Sequence, residues 1–368
     1  MKRKEFIKMC GILGVGLPIQ ASLLSCNSDD DVNDIKFSGK VIIIGAGAGG
    51  LSSGYLLQQQ GIDFEILEAS SIHGGRMRIN TDFSDFPIPL GAEWLETNTG
   101  IFQEIVNDSS VQVNVETIAD TPDRKFVNSS WLGFFEDYIV PSISNKIIYN
   151  TIVQSIDYSG DKIVVNTQNG QYEADKVIVS VPLKIIQDGD INFIPSLPQD
   201  KLEAINDTTI WEGFKAFIEF SQNFYNEGMK FQITPASDGE KVYYNATFGQ
   251  NTSKNILGLF VVGKPAIDYI SLSDNQLKNF ILAELDGIYS NQATPNYMKH
   301  ITQNWNNEPF IKAGYMTNAA DSSTVRKLGE TVADKIYFAG GAYTNGEDWV
   351  SVHTAAQSAK DTIGEIIS

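Results

Sequence analysis

Residues 40–76, KVIIIGAGAGGLSSGYLLQQQGIDFEILEASSIHGGR, decide the fold. An apolar run, Val41–Ile44, leads into a glycine-rich turn and a segment of helical character that ends near Gln60. A second apolar run, Phe64–Leu67, follows and ends at Glu68. This order of strand, turn, helix, strand and acidic residue is the βαβ fingerprint of dinucleotide-binding domains. The stretch therefore predicts a dinucleotide site at the N-terminus of the helix.

The small residues of the turn have separate expected roles. Gly45 permits the tight turn, Gly47 lets the backbone approach a pyrophosphate because it has no Cβ atom, and Gly50 lets the helix pack close to the strand. Ala48 and Gly49 open the helix. We expect the free N–H groups and the positive end of the helix dipole to meet the phosphate charge there.

The residues after the second strand distinguish FAD from NAD. Glu68, followed by Ala69, can accept hydrogen bonds from an adenosine ribose, and a carboxylate there disfavours a 2′-phosphate. A domain that binds NAD requires no particular motif after this acidic residue. Here Gly74-Gly75-Arg76 can return a guanidinium to the pyrophosphate as a bidentate partner. The predicted cofactor is therefore FAD.

Length and charge limit the other possibilities. The 368 residues suffice for two domains, or for one large domain with an insertion. A net charge of −18 argues against nucleic acid as a partner. It can attract cationic substrates, although an acidic surface more often serves only solubility. The three histidines, His73, His300 and His353, lack metal-ligand spacing, so no metal site is predicted.

The first 26 residues have the features of a bacterial lipoprotein signal peptide. A basic start is followed by an apolar stretch, Met9–Leu24, that is too short to span a bilayer. Leu23-Leu24-Ser25-Cys26 resembles a lipobox, which predicts lipidation of Cys26 and membrane contact through that lipid only. Residues 2–8 also resemble a twin-arginine signal with one arginine replaced by lysine, so the export route stays open.

The segment after Cys26 is acidic. It resembles the tract that follows the lipidated cysteine in some surface-exposed lipoproteins of Gram-negative bacteria, and it also suits a solvated tether. We therefore expect an exported lipoprotein of the cell envelope, with the outer-membrane surface as one destination. Because Cys10 and Cys26 are the only cysteines, no cysteinyl link to FAD is available, and noncovalent FAD is predicted.

Apolar patterns along the rest of the chain predict two kinds of sheet. Strands with an Asn169-Gly170 hairpin turn are predicted in the first region, at Ile147–Tyr149, Ile152–Tyr158, Lys162–Thr167, Gln171–Glu173 and Val177–Val181. Alternating runs predict an antiparallel sheet at Phe214–Phe220, Phe231–Thr234, Val242–Thr247 and Ile256–Val262. A helix after Ser273 has a predicted apolar face of Leu277, Phe280, Ile281, Leu285 and Ile288. Ile336–Ala339 is the last predicted strand, and a helix follows from about Ser351.

Ordered blocks along the chain match the pattern of a known family. After the fingerprint stretch come Leu90-Gly91-Ala92-Glu93-Trp94, Asn150–Val153, Ala174–Leu183, Gly213–Phe217, Trp305–Tyr315, Tyr337–Gly340 and Val352–Ala355. With these blocks the chain resembles the flavin amine oxidase family, which includes monoamine oxidases, polyamine oxidases and lysine-specific histone demethylases. The resemblance covers most of residues 38–95 and 147–368.

The resemblance implies an α/β fold with two domains. A Rossmann-like FAD-binding domain of the GR2 type is built from both chain ends, and an α+β substrate domain with a mixed or antiparallel sheet is inserted. The predicted boundaries are 1–26 for the signal peptide, 27–37 for the acidic tether, 38–95, 147–190 and 325–368 for the FAD-binding domain, and 96–146 and 191–324 for the substrate domain. The ligand is expected between the domains.

The resemblance also implies further contacts to FAD. Gly91, Ala92, Glu93 and Trp94 correspond to a loop beside the flavin, and Val153 offers backbone contacts to adenine. Trp305 packs near the flavin or fills a core. Gly340 and Gly341 stand where the family has Gly-Glu, and Glu347 or Asp348 is the predicted substitute for that glutamate. A helix N-terminus at Val352 faces the N1–C2=O edge of the flavin and stabilises its negative charge in the reduced state.

Lys215 is the predicted catalytic residue. It lies inside an apolar strand, where a lysine ordinarily points outward to solvent. In the family a lysine at this point lies over flavin N5 and contacts it through a water. The resemblance therefore implies that Lys215 holds that water and helps molecular oxygen to reoxidise the flavin.

Tyr315 and Trp349 are the predicted substrate contacts, with Trp349 as an aromatic wall of the substrate cage. Ser351 occupies the place of a frequent cage tyrosine, and residues 96–146 replace a segment that is usually longer and helical. These departures weaken the case for small aromatic monoamines. They predict a pocket that is more open or partly degenerate.

The predicted function is oxidation of a small-molecule amine. Hydride passes from the amine α-carbon to flavin N5, and molecular oxygen reoxidises the flavin to give hydrogen peroxide. Two alternatives stay open: a desaturase or dehydrogenase of another substrate on the same fold, and a non-catalytic flavin-carrying surface protein.

Replacing Cys26 by Ser is expected to abolish membrane association and to leave a soluble protein that still binds FAD. The reason is that residues 27–34 contain too little apolar surface to anchor the chain by themselves. Fractionation of cells into membrane and soluble fractions measures this, with Cys10→Ser as the matched control. A Cys26→Ser protein that still sediments with membranes contradicts the lipoprotein prediction.

Overall fold

The computed structural model describes residues 37–119, 123–225, 230–236, 238–317 and 319–368, without the side chains of 230–236. Cys26, the predicted signal peptide and all but the last residue of the predicted tether lie outside the described residues. The first half contains, in chain order, β1 (Lys40–Ile44), α1 (Ala48–Gln59), β2 (Asp63–Leu67), β3 (Ile79–Asn80), β4 (Ile88–Pro89), β5 (Trp94–Leu95), α2 (Gly100–Val106), β6 (Val115–Thr117), β7 (Arg124–Phe126), α3 (Trp131–Tyr138), α4 (Val140–Ile143), β8 (Ile147–Ile148), β9 (Val153–Asp157), β10 (Ile163–Thr167), β11 (Gly170–Ala174) and β12 (Lys176–Val179).

The second half begins with the short helix that follows β12. Its elements are α5 (Leu183–Gln187), β13 (Asn192–Ile194), α6 (Gln199–Asp207), β14 (Ile210–Trp211), β15 (Gly213–Phe220), β16 (Lys230–Ala236), β17 (Gly239–Asn245), β18 (Asn255–Gly263), α7 (Ile267–Ile270), α8 (Asp274–Ile288), α9 (Ala293–Asn296), β19 (Tyr297–Asn304), β20 (Tyr315–Met316), α10 (Ser322–Gly329), β21 (Ile336–Phe338) and α11 (Val352–Ile367). Within the described ranges, no helix is long and apolar enough to cross a membrane.

The fingerprint stretch folds as predicted. β1 is the centre of a parallel five-stranded sheet with the order β21-β12-β1-β2-β8. Gly45 has φ +99°, a conformation that favours glycine. A Cβ atom on Gly50 would lie 1.9 Å from the carbonyl oxygen of Gly45, so only glycine lets α1 start this close to the turn. Gly61, with φ +68°, follows the end of α1.

The parallel sheet draws on both ends of the chain. β21, near the C-terminus, pairs with β12, and α11 packs along α1 on one face of the sheet. Side chains of α11 and α1 share a core in which Leu51, Leu57, Ala359 and Ile363 are buried. The carboxyl ends of β1, β2 and β12 therefore meet the N-termini of α1 and α11 at one edge, where open α/β sheets bind their ligands.

The predicted antiparallel structure is also present. Asn169-Gly170 lies at the turn between β10 and β11, which pair in antiparallel register. A five-stranded antiparallel sheet has the order β16-β17-β18-β15-β19. Its edge strand β19 was not predicted, because Tyr297–Asn304 is mostly polar and only partly buried. An edge strand with one exposed face does not need the apolar alternation that identifies buried strands.

Helix α8 begins as predicted and buries a slightly different face. Ser273 and Gln276 form a capping box at its start. Leu277, Ile281 and Leu285 are buried as expected. The prediction was wrong for Phe280 and Ile288, which are 37% and 39% exposed. Both residues lie at the edge of the apolar face of the helix, and Leu282 completes the buried face in their place.

Residues 96–146, which the sequence patterns describe poorly, contain α2, α3 and α4 and the strands β6 and β7, which join β5 in a small sheet of order β5-β7-β6. Phe102 is at the centre of an aromatic cluster, with ring centroids 5.7 Å from Phe126, 5.3 Å from Trp131 and 4.9 Å from Phe134. These side chains share the core of β1 and α1. All described residues belong to one unit, Lys36–Ser368, so the predicted division into two domains stays a prediction.

A buried lysine joins α6 to the end of α10. The ammonium group of Lys201 donates hydrogen bonds to the carbonyl oxygens of Lys327, Leu328 and Glu330 at 3.0, 2.7 and 2.7 Å. It also lies 3.8 Å from the ring centroid of Phe338. The last carbonyl groups of a helix have no partners within the helix, and Lys201 supplies donors to them.

Replacing Lys201 by Met is expected to lower the free energy of unfolding by about 1–3 kcal/mol, because buried carbonyl oxygens lose their donors. Denaturant unfolding measures the change. Lys360→Met, at an exposed position on α11, serves as the matched control and is expected to change stability by less than about 0.5 kcal/mol. Equal stabilities of the two variants would contradict the capping role.

Candidate active site

A cavity of about 740 Å³ opens between the carboxyl edge of the parallel sheet and the face of the antiparallel sheet. Its volume is in the range of small-molecule and cofactor sites. Nearly all predicted FAD contacts line it: Gly45, Gly47, Ala48, Gly49, Glu68, Ala69, Gly75, Arg76, Gly91, Ala92, Glu93, Trp94, Val153, Trp305, Gly340, Gly341 and Val352. Lys215 and Tyr315 line it as well. Gly50 is the exception, since it lies behind the turn against Gly45.

The ribose end of the predicted cofactor site is organised around Glu68. Its two carboxylate oxygens accept hydrogen bonds from the backbone N–H groups of Ala46 at 2.6 Å and Ser70 at 2.8 Å. Burial raises the pKa of Glu68, and the two N–H donors oppose that rise. The two backbone bonds fix the orientation of a carboxylate at the cavity wall, as a ribose acceptor requires.

The pyrophosphate end combines an open glycine with a buried guanidinium. A Cβ atom on Gly47 would meet nothing within 4 Å, so the backbone faces open space. Arg76 lines the cavity and donates one hydrogen bond to the carbonyl oxygen of Gly314. Burial lowers the pKa of Arg76 from its ordinary value, although a guanidinium stays charged at neutral pH. An anion beside Arg76 would offset the cost of burying that charge.

The flavin end has a helix N-terminus and an unused donor. Val352 starts the 16-residue helix α11 at the cavity, with Ser351 as its N-cap. The indole N–H of Trp94, on the same cavity, has no acceptor among the residues that the structure describes. Buried donors are normally satisfied, so this one suits a bound ligand. Glu347 and Asp348, the predicted substitutes for the family's glutamate, do not line the cavity.

Lys215 lies at the cavity wall in a network of buried charges. Only 2% of its surface is exposed, so the alternative of an outward-pointing lysine is wrong. Its ammonium group contacts a carboxylate oxygen of Glu93 at 2.6 Å and the carbonyl oxygens of Pro89 and Gly91 at 2.8 and 3.2 Å. The strand β15 buries every residue on both faces. The three acceptors come from the end of β4 and from the loop between β4 and β5.

Glu93 is shared by several donors. The hydroxyl group of Tyr244 donates to it at 2.5 Å, and the ammonium group of Lys125 lies 3.1 Å from its other oxygen. Burial alone would raise the pKa of Glu93, but Lys215 and Lys125 outweigh it and hold the pKa below its usual value. Burial lowers the pKa of Lys215, and Glu93 opposes that change.

These contacts bear on the predicted water over flavin N5. An ammonium group has three donors, and the protein provides three acceptors to Lys215. A water that binds Lys215 must therefore replace one of them. The bond to Gly91, at 3.2 Å, is the longest and is the one that a water can replace at least cost.

The structure differs from the sequence prediction at Trp349, a predicted substrate contact. This residue does not line the cavity, and its indole N–H donates to the carbonyl oxygen of Thr317 at 3.2 Å. Its ring packs against the core under the parallel sheet. Tyr315, the other predicted substrate contact, lines the cavity, and burial raises its pKa.

Sequence reasoning missed two residues on the substrate side. Phe260 lines the cavity and packs edge-on against Trp94, with ring centroids 5.5 Å apart. It is opposite Lys215 in the register of β15 and β18, a relation that only strand pairing reveals. Glu96 also lines the cavity and accepts a hydrogen bond from Ser351. The sequence could have identified Glu96 by its position two residues after Trp94, the last residue of the loop predicted to lie beside the flavin.

Comparisons with known proteins agree with this geometry. A model of flavin-containing amine oxidoreductases matches residues 135–367, and a model of NAD(P)-binding Rossmann-like domains matches residues 43–108. The chain belongs to the flavin-containing amine oxidoreductase family. The cofactor of this flavin amine oxidoreductase is FAD, and the cavity supplies residues that suit it at the ribose, the pyrophosphate and the flavin.

The chain is also similar to curated relatives and to a solved structure. It is 27% identical over 197 residues to lysine-specific histone demethylase 1B of Mus musculus, and 28% identical over 199 residues to lysine-specific histone demethylase 2 of Homo sapiens. Each match covers 52% of this chain and 24% of the relative. A triple mutant of putrescine oxidase has a similar fold, with a TM-score of 0.71 and 14% identity, over 90% of this chain and 99% of that chain.

Replacing Glu68 or Arg76 by Ala is expected to weaken FAD binding. Each change removes a charged partner worth about 1.5–3 kcal/mol, which corresponds to roughly a tenfold or larger rise in the dissociation constant. Titration of the apoprotein with FAD, followed by flavin fluorescence, measures the constant. Glu65→Ala is the control, because Glu65 pairs with Lys40 on the same sheet and does not line the cavity. Unchanged FAD affinity in both variants contradicts these two assignments.

Proposed function

We propose that this protein is an FAD-dependent amine oxidase that acts on CH–NH or CH–NH2 donors and uses molecular oxygen as the acceptor. The observation that carries the proposal is the buried ammonium group of Lys215 at the wall of the cavity that suits FAD. FAD held by these residues would supply the redox chemistry: loss of a hydride from the α-carbon would convert the amine to an imine, and oxygen would take up the two electrons with two protons to give hydrogen peroxide. The side chains of the cavity bind the amine, exclude water and hold a proton donor in place.

The substrate side suits an amine with an apolar portion. Trp94, Phe260 and Tyr315 are half-buried and offer aromatic surface along which an alkyl chain packs, which shields the reacting carbon from water. Glu96 offers a carboxylate that accepts hydrogen bonds from a substrate ammonium group, as it does from Ser351. The net charge of −18 favours the approach of cationic amines.

Lys215 acts on the oxygen side of the reaction in this proposal. It is held by Glu93 and Pro89, and its third donor, now on Gly91, is available to a water beside the flavin. That water receives or supplies protons while oxygen is reduced. Positioned proton donors contribute about 10²–10⁴-fold to such steps.

We further propose that the protein is exported and anchored in the cell envelope by a lipid on Cys26. The support is the lipobox-like sequence and the acidic tract after it, both of which lie outside the described residues. In this proposal the lipid is the only contact with the membrane.

A panel of amines tests the function directly. The purified yellow protein is mixed with each amine, first without oxygen to follow flavin bleaching and then with oxygen to follow hydrogen peroxide. An oxidase is bleached and then forms peroxide, and a dehydrogenase is bleached but reoxidises slowly in air. A desaturase of apolar substrates and a non-catalytic flavin carrier are not bleached by any amine. A flavin that is bleached but reoxidises slowly in air, or one that no amine bleaches, overturns the proposal.

Replacing Lys215 by Met is expected to lower turnover or flavin reoxidation by at least about tenfold and to leave FAD bound. Methionine keeps the length and apolar stem of the side chain and removes its three donors. Stopped-flow spectroscopy follows flavin reduction and reoxidation separately. Lys241→Met is the control, because Lys241 pairs with Glu284 away from the cavity. Wild-type rates in both steps for Lys215→Met contradict the assigned role.

A further inference from the structure

Lys125 is a second buried lysine next to the predicted catalytic lysine. It lies on β7, directly opposite Trp94 of β5, and only 3% of its surface is exposed. Its ammonium group lies 3.1 Å from Glu93 and donates a hydrogen bond to the carbonyl oxygen of Ala246, at the end of β17. Lys125 therefore connects three elements around Lys215, although it does not itself line the cavity.

The charges of this cluster do not balance. Glu93 provides one negative charge, whereas Lys125 and Lys215 provide two positive charges when both are protonated. Tyr244 is a neutral donor, since burial and Glu93 raise its pKa well above its ordinary value. An uncompensated charge in a buried site raises the free energy of the folded protein. Release of one proton from either lysine removes this charge.

The other groups that face Lys215 do not supply the missing charge. On the antiparallel sheet its direct neighbours are Phe260 of β18 and Gln303 of β19, and neither ionises. Gln303 donates to Glu308, but Glu308 already pairs with Arg78 at 2.7 Å, so that pair is neutral. Glu116 is opposite Lys125 in the register of β6 and β7, but it is exposed. Among the described residues, the buried titratable groups of the cluster are therefore Glu93, Lys125, Lys215 and Tyr244.

We propose that Lys125 is a positioning residue for Lys215: by sharing Glu93 it fixes the Lys215 ammonium group at the cavity wall and makes that group a ready proton donor to the flavin site. The inference rests on the proposed function, in which Lys215 acts beside the flavin. Without Lys125, Glu93 and Lys215 form a neutral pair that holds its proton tightly. With Lys125 present, the proton of Lys215 is destabilised by a like charge across one carboxylate.

The ionisation behaviour of the two lysines agrees with this geometry. Burial lowers the pKa of both, and the positive charge of Lys125 lowers the pKa of Lys215 further. Removing Lys125 must therefore raise the pKa of Lys215. Removing the charge of Glu93 must lower it. A like or opposite charge at such close range shifts a pKa by about 1–3 units.

The test follows the pH dependence of the FAD-loaded protein by two measurements, the flavin midpoint potential and the rate of flavin reoxidation by oxygen. When each quantity is plotted against pH, the wild-type protein is expected to show an inflection from the titration of Lys215. The Lys215→Met variant is expected to lack this inflection. In Lys125→Met the inflection moves to higher pH by at least about one unit. In Lys125→Arg it does not rise, because arginine keeps the positive charge. In Glu93→Gln it moves to lower pH.

The variants also distinguish a failure of the role proposed for Lys215 from a failure of the role proposed for Lys125. If Lys215→Met keeps the wild-type inflection, Lys215 is not the titrating group, and its proposed catalytic role fails. If Lys215→Met removes the inflection but Lys125→Met leaves it at the wild-type pH, only the present inference is overturned. Thermal unfolding and FAD content verify that each variant is folded. If Lys125→Met is too unstable to purify, Lys125→Gln, which keeps a donor for Ala246, takes its place with the same expected shift.

Discussion

The buried carboxylate of Glu93 is the interaction on which the site depends. It accepts the ammonium group of Lys215 and the hydroxyl group of Tyr244, and it lies 3.1 Å from Lys125. These partners come from β15, β17 and β7, so one carboxylate joins the antiparallel sheet to the small sheet and to the loop before β5. Removing one partner of a buried ion pair costs about 3–5 kcal/mol, which makes the arrangement rigid.

A steric constraint has the same importance at the nucleotide end. Gly45 and Gly50 bring the start of α1 against the turn after β1, and Gly91 brings the next loop against the same region. A Cβ atom on Gly91 would lie 1.7 Å from the carbonyl oxygen of Arg76. This close approach places the loop that carries Glu93 next to the loop that carries Arg76.

The segment 96–146 contributes more to the core and to the site than its sequence patterns indicate. Its sequence patterns are irregular. Folded, it packs Phe102 and Trp131 into the core of β1 and α1 and delivers Lys125 to Glu93. Lys125 cannot be found by matching motifs, because it lies between the matched residues 43–108 and 135–367.

The sequence by itself determined the nucleotide fold, FAD as cofactor, most of the cavity residues and Lys215 as the residue to test. The nucleotide fold and FAD follow from local rules, since glycine positions and strand periods act within short stretches of chain. Lys215 and most of the other cavity residues follow from the resemblance to the family. The tertiary structure decided the burial of Lys215, its partners, the wall residues Phe260 and Glu96, and the exclusion of Trp349 from the cavity. The physical reason is that strand register and charge sharing join residues that are far apart in the chain: Lys215 is 122 positions from Glu93, and local patterns hold no information about such pairs.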